Sequence, residues 1–348
     1  MQHFDYVQII TFAWREFDND RHEIKGIYDV SAHVSTNQVY KVSFYGREPV
    51  FAKLSDYGNF EDFREDHIII NNLANNLELP YQNFLAKALI KKNELFIYRY
   101  HQETNSAWVI FYNPIKMKHR LPRRLEEKDI RKMGRELARF HKACSNVSNQ
   151  LRDTSKNIVS DTQFLMKSID KGEIKMDSNH QLMIQKHCEH FLKNADKVNY
   201  VTDFETLPVF VDWNIGNFSI TRDGRFYSRW DYDWFRMASR VFDFYFFSRV
   251  VSSVGDRTVF SYLVDTLMED RFMIFLKEYH KIFPLSEPEI HFIKEAYRFF
   301  ILNYVVKDGP YFFRQYYSSK LIKEAYDTYF PALDANYRVE KILKTLKM

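Results

Sequence analysis

Asp212, Asn217 and Asp231 lie in one stretch, VFVDWNIGNFSITRDGRFYSRWDYD, and together supply two carboxylates and an amide oxygen. Asp212 precedes Asn217 by five residues, a gap that lets a tight loop aim both side chains at one point. Asp231 follows fourteen residues after Asn217, beyond the turn TRDG, whose flanking aromatic and branched residues predict a two-stranded hairpin. Transfer of a phosphoryl group needs a carboxylate near the acceptor hydroxyl, and an amide oxygen and second carboxylate to hold Mg2+ on the phosphates. Each residue alone reads as an ordinary turn former. The ordered set, with a hairpin between its second and third members, carries the signal.

This stretch resembles the catalytic core of the aminoglycoside phosphotransferase and choline kinase superfamily, small-molecule kinases with a protein-kinase-like fold. In that family a His-x-Asp loop reaches an Asn five residues on, then a hairpin, an Asp-aromatic pair and a further Asp about twelve residues later. Asp212, Asn217, Asp231-Tyr232 and Asp243 keep those spacings. The resemblance implies that Asp212 is the catalytic Asp, that Asn217 and Asp231 are metal ligands, and that Asp243 braces the catalytic loop. The loop's usual His is Phe210 here. That departure bears on the loop's hydrogen bonding more than on the chemistry.

The elements that must position these groups can be followed along the chain. QVYKVSF alternates through Val39, Tyr40, Val42 and Phe44, and EPVFAKL reads as its antiparallel partner across the turn YGRE. Phe60 to Leu77 has an acidic start and apolar residues at Ile69, Leu73 and Leu77, the repeat of one helical face. Two apolar stretches follow, FLAKALI and ELFIYRY, expected as strands. By resemblance, Lys53 on the second hairpin strand contacts nucleotide phosphates and is held by a helix Glu, here Glu65, with Glu61 one turn earlier as the alternative. YDVSAHVSTNQVY contains no glycine, so it is neither a P-loop nor the glycine-rich loop of protein kinases. Ser35, Thr36 and Asn37 offer hydroxyl or amide donors to phosphate, and an ordinary polar turn reads equally well.

After Tyr100, HQETNSAWVIFYNP suits a linker between lobes. Leu125 to Ala143 predicts a strong helix with Ile130, Met133, Leu137 and His141 on one stripe. Leu137, Ala138 and His141 resemble the family's first long helix of the second lobe, with His141 a packed core residue rather than a catalyst. Residues 145–199 read as a helical insertion with polar loops, and the chain beyond Phe246 as helical. DGPYFFRQYY, Asp308 to Tyr317, reads first as core packing and second as an acceptor-pocket wall.

Hydrophobic residues make up 45% of the 348 and aromatics 17%, enough for two lobes with ring-rich cores. A formal charge of +4 is small beside 50 basic and 46 acidic residues and implies no nucleic-acid partner. Two cysteines, Cys144 and Cys188, make no disulfide framework or metal spacing. With no apolar run long enough for a membrane span, the expectation is a cytoplasmic protein with no membrane partner. The expected architecture is α+β, a protein-kinase-like two-lobe fold. Residues 1–100 form a small antiparallel-sheet lobe that binds nucleotide, and residues 101–348 a larger, mainly helical catalytic and acceptor-binding lobe. The expected activity is ATP-dependent, Mg2+-requiring transfer of the γ-phosphoryl group to a hydroxyl of a small-molecule acceptor of aminoglycoside, amino-alcohol, homoserine or sugar type. Asp233 stands as a second-choice ligand to Asp231. The alternatives are a catalytically inactive nucleotide or metabolite binder on the same fold, and an assembly protein using exposed aromatics.

Overall fold

The computed structural model describes residues 5–32, 35–36, 38–102, 105–152, 154–174, 176–255 and 261–348. Helix α1 (Tyr6–Asp18) starts where the Asp5 carboxylate accepts the Gln8 amide at 3.0 Å, and it buries Ile9, Ile10, Ala13 and Trp14. Strands β1 (Ile24–Asp29), β2 (Gln38–Phe44) and β3 (Val50–Ser55) follow, then α2 (Phe60–Asn76), capped by Asn59. A small ladder, β4 (Ile90–Lys91) with β5 (Glu94–Leu95), leads into β6 (Ile97–Gln102) and β7 (Asn105–Tyr112). The sheet is antiparallel in the order β1-β2-β3-β7-β6. One of its faces closes over α1, where the Trp14 ring lies 4.3 Å from Phe44 and 5.4 Å from Phe111.

Two expectations change here. The stretch after Tyr100 is not a linker but the β6–β7 hairpin, so the sheet lobe runs to Tyr112, past the expected boundary at residue 100. The reason is position in the sheet: β7 lies between β3 and β6, is buried from Ala107 to Tyr112, and reads as a continuous apolar run rather than an alternating one. FLAKALI forms no regular strand, making single bridges from Leu85 to Arg229 and from Ala88 to Tyr112. Its start reaches across to the second lobe at Arg229, and its end meets β7 at Tyr112 and Phe111.

The second lobe is mainly helical, as expected. It contains α3 (Glu127–Val147), α4 (Ile158–Asp170), α5 (Ser178–Lys197) and the single turn α6 (Tyr200–Asp203). The site region then follows as β8 (Leu207–Val209), β9 (Phe218–Ile220), β10 (Phe226–Arg229) and β11 (Arg236–Ala238), pairing β8 with β11 and β9 with β10. Beyond it run α7 (Phe244–Val251), α8 (Asp270–Ile282) and α9 (Glu287–Phe300), the last continuing into a π-helical turn over Ile301–Lys307. The short α10 (Gly309–Phe312), α11 (Gln315–Glu324), α12 (Phe330–Asn336) and α13 (Val339–Leu346) complete the lobe. Helix α3 presses against α8 through Gly134, where an added methyl would overlap the Phe275 carbonyl oxygen. Buried residues of α2 (Ile69, Ile70, Leu73 and Ala74) belong to this lobe's core, so α2 bridges the two lobes. Among the described residues no helix is long and apolar enough to cross a membrane.

Candidate active site

Asp212 sits on a loop that the chain would not adopt unaided. Val211 has φ +57°, a left-handed conformation that costs a β-branched residue about 1–3 kcal/mol. Two tight turns flank it, with the Asp212 amide donating to the Phe210 carbonyl at 2.6 Å and the Trp213 amide to the Val211 carbonyl at 3.0 Å. Asp243 compensates for this. Its Oδ1 accepts the Phe210 amide at 2.9 Å and the Val211 amide at 2.7 Å, and its Oδ2 faces His141 Nε2 at 2.9 Å. Both side chains are fully buried, and His141 Nδ1 meets the Tyr279 hydroxyl at 2.7 Å. Burial pushes the His141 pKa down, against the pull of Asp243, so the ring is neutral and its one proton points at the carboxylate. Asp243 thus braces the loop, and His141 is a core residue that orients the brace.

The loop's other end carries Asn217, whose Nδ2 donates to Asp212 Oδ2 at 3.0 Å. Asp212 Oδ1 also accepts the Asn214 amide at 3.1 Å. The TRDG turn forms as expected, with Gly224 at φ +82° and Phe218 opposite Arg229 in the β9–β10 ladder. Beyond that ladder the Trp230 amide donates to the Asn217 carbonyl at 3.0 Å. This ties Asn217 to the residue before Asp231, which itself takes a left-handed φ of +68°.

Lys53 arrives from β3 of the other lobe. Its buried ammonium pairs with Asp231 at 3.4 Å and, more closely, with Asp233. Burial alone would lower the Lys53 pKa, but Asp233 and Asp231 outweigh it and keep the amine protonated. Burial would likewise raise Asp231, yet the Lys53 charge and hydrogen bonds from Asp233 hold it below the usual carboxylate range. Asp233 is pushed up, by burial and by the negative charge of Asp231. The expected partner Glu65 does not reach Lys53. Its Oε2 accepts from the Ser155 hydroxyl at 2.8 Å, the Ser155 amide at 2.9 Å and the Thr154 hydroxyl at 3.1 Å. Helical geometry explains this, because residues 63, 67 and 70 share a face of α2 that residue 65 does not. His67 occupies that face: Lys53 is among the charges that act on it, and burial together with the Lys53 charge pushes its pKa down to about 3. Its Nε2 has no partner among the described residues.

Arg229 belongs to none of the motifs above. It is fully buried at the end of β10, and its Nη2 donates to the Asp212 carbonyl at 2.8 Å. Its guanidinium lies 4.6 Å from the Phe210 ring and 4.3 Å from the Trp213 ring. A basic residue in an otherwise ring-rich strand two positions before the Asp231 turn was the available signal.

No family model matches the chain, and no curated protein matches it in sequence. Solved structures do. An amicoumacin kinase in complex with AMP-PNP, Ca2+ and Ami aligns with TM-score 0.65 at 12% identity, covering 97% of each chain. A microcompartment-associated aminopropanol kinase aligns with TM-score 0.59 at 12% identity, over 97% of this chain and 98% of its own. A gentamicin complex of APH(2")-IIa aligns with TM-score 0.56 at 13% identity, over 98% and 99%. The chain has a protein-kinase-like fold. The likeness is one of fold and runs over essentially the whole of each chain.

Within that fold, the stretch expected to cover a nucleotide docks on the second lobe. The Thr36 amide donates to the Phe312 carbonyl at 3.2 Å, the Thr36 hydroxyl to the Tyr311 carbonyl, and Ser35 bridges Phe313. Asn37 lies outside the described residues. DGPYFF therefore does more than pack in the core: it seats this stretch, and Tyr57 stacks on Tyr311 at 6.1 Å. Two surface grooves of about 810 and 800 Å3 contain none of the site residues, and neither marks an acceptor pocket. Among the described residues no three His, Cys, Asp or Glu side chains converge to hold a metal ion. An oxygen pair such as Asn217 and Asp231 suits a hard cation that completes its shell with water and phosphate oxygens.

Proposed function

We propose that the chain is a member of the aminoglycoside phosphotransferase and choline kinase superfamily that moves the γ-phosphoryl group of ATP to a hydroxyl of a small molecule. One observation carries this: Lys53 of the sheet lobe meets the Asp231 turn of the helical lobe, while Asn217 on the same hairpin bonds Asp212. Asp212 orients the acceptor hydroxyl and takes its proton as the new bond to the γ-phosphorus forms and the bond to the bridging oxygen breaks, releasing ADP. Lys53 steadies the phosphates, and Asn217 and Asp231 would hold Mg2+, which would offset phosphate charge when bound. The similar structures include one bound to AMP-PNP and Ca2+ and one named for an amino alcohol, which supports a nucleotide site and an acceptor with an amine near its hydroxyl.

Melting temperature with Mg-ATP, Mg-GTP and metal-free nucleotide, in wild type and Asp231→Asn, tests the nucleotide site. Saturation at a hundredfold excess over Kd stabilises by about 2.7 kcal/mol. The expected shift needs metal and is lost in the variant. Turnover against a panel of amino alcohols, aminoglycosides and sugars then tests Asp212→Asn, which should fall by at least about a hundredfold with nucleotide affinity retained. Nucleotide binding with no turnover on any acceptor would favour the inactive-binder alternative.

A further inference from the structure

Arg229 is a fully buried cation with two of its nitrogens, Nε and Nη1, unpaired among the described residues. Burying an incompletely paired guanidinium is costly, and an apolar side chain of similar size would fill the space at lower cost. Its surroundings explain its retention. Phe210 and Trp213 meet edge to face, their ring centres 6.0 Å apart at 83°, and the guanidinium lies in the corner between them. From there Nη2 reaches the Asp212 carbonyl at 2.8 Å. The backbone of Arg229 is itself fixed, its amide donating to the Phe84 carbonyl at 2.6 Å and its carbonyl accepting from the Ala86 amide at 3.0 Å. Burial pulls the Arg229 pKa down, while Asp212, Asp243 and Asp231 act against it, so three of the site's carboxylates bear on this one cation.

Phe210 stands where the resembled family carries a His. We propose that Arg229 is the positioning residue of the Asp212 loop, clamping the Asp212 carbonyl from the Asp231 strand with Phe210 as its stacking platform. The pair then links the two acidic segments of the site from the strand side. A guanidinium is required, because its several donors are fixed in one plane and its charge is weakly hydrated enough to sit against the rings, whereas a lysine ammonium is a strongly hydrated point charge. The consequence for turnover rests on the phosphotransferase reading. The clamp itself is a property of the loop.

The test uses Arg229→Met, Arg229→Lys and the double variant Phe210→His with Arg229→Met, each compared with wild type. Hydrogen exchange of the Asp212, Trp213 and Asn214 amides reports the loop without any substrate. Loss of one hydrogen bond from a charged donor corresponds to at least about tenfold faster exchange there. The proposal expects that acceleration in both single variants, confined to the loop, with partial recovery in the double variant. ATP hydrolysis without acceptor should show kcat reduced and KM for Mg-ATP little changed, again partly rescued by Phe210→His. If Arg229→Met does not fold, Arg229→Lys decides by the same two measurements. Unchanged loop exchange in a folded single variant overturns the clamp. A wild type that Mg-ATP fails to stabilise overturns the phosphotransferase reading instead, and leaves the exchange result to stand for the clamp alone.

Discussion

Replacing Asp243 separates a hydrogen-bond brace from mere space filling. In wild type, Asp243 Oδ1 serves two buried amides and Oδ2 faces the ring N–H of His141. Asp243→Ala orphans these three donors, at about 1–3 kcal/mol each. Relaxation of the left-handed Val211 returns about 1–3 kcal/mol of strain, leaving a net loss of about 4 kcal/mol. A domain is stable by only about 5–15 kcal/mol, so this variant should be near its folding limit. Asp243→Asn behaves differently. Its Oδ1 still accepts both amides, and its Nδ2 can donate to His141 Nε2 once the neutral ring carries its proton on Nδ1, towards the Tyr279 oxygen. The remaining loss, that of the charge on the acceptor, is about 1–2 kcal/mol. Urea unfolding with unchanged slope measures both, the slope confirming that the same surface is exposed. An Ala variant within about 1 kcal/mol of wild type, or an Asn variant as damaged as the Ala variant, would refute the tautomer-switching brace.

Three further outcomes are expected. Gly134→Ala should lose about 1–3 kcal/mol in thermal or urea unfolding, because the new methyl meets the Phe275 carbonyl and lies 3.2 Å from Glu278 Cβ across α3 and α8. Burial and the Arg298 charge push the His187 pKa down to about 3, so below the unfolded value of about 6.5 the unfolded chain binds the extra proton. Stability from this group is therefore lost as pH falls from about 6.5 towards 3, and wild type should lose about 1.4 kcal/mol per pH unit more than His187→Gln between about pH 5.5 and 4. Asp233→Asn should weaken Mg-ATP binding measured by titration calorimetry several-fold, since it removes the nearer partner of Lys53, while Glu65→Gln should leave it within about twofold. Equal effects would mean that α2 also holds the lysine.

Signals written along the chain were legible before any coordinates. The β2–β3 hairpin, the stripe of α3 and the turn at Asp223-Gly224 each follow from a local period or turn chemistry, and they form where expected. The spacing of Asp212 and Asn217 is likewise local, and the loop joins them by a side-chain hydrogen bond. What failed to show was anything set by depth or by a distant partner. Strand β7 could pass for a linker because its central place in the sheet removes the alternation that marks a half-buried strand. Lys53 chose Asp233 and Asp231, about 180 residues away, over the nearer Glu65, because the helical repeat turns Glu65 towards Ser155. The spacing that placed three acidic or amide groups around one hairpin is a property of the chain alone. Which charge is buried, and what then neutralises it, depends on the surfaces that close around it, and Arg229 beneath the Asp212 loop exists as a partner only once β10, Phe210 and Trp213 are packed together.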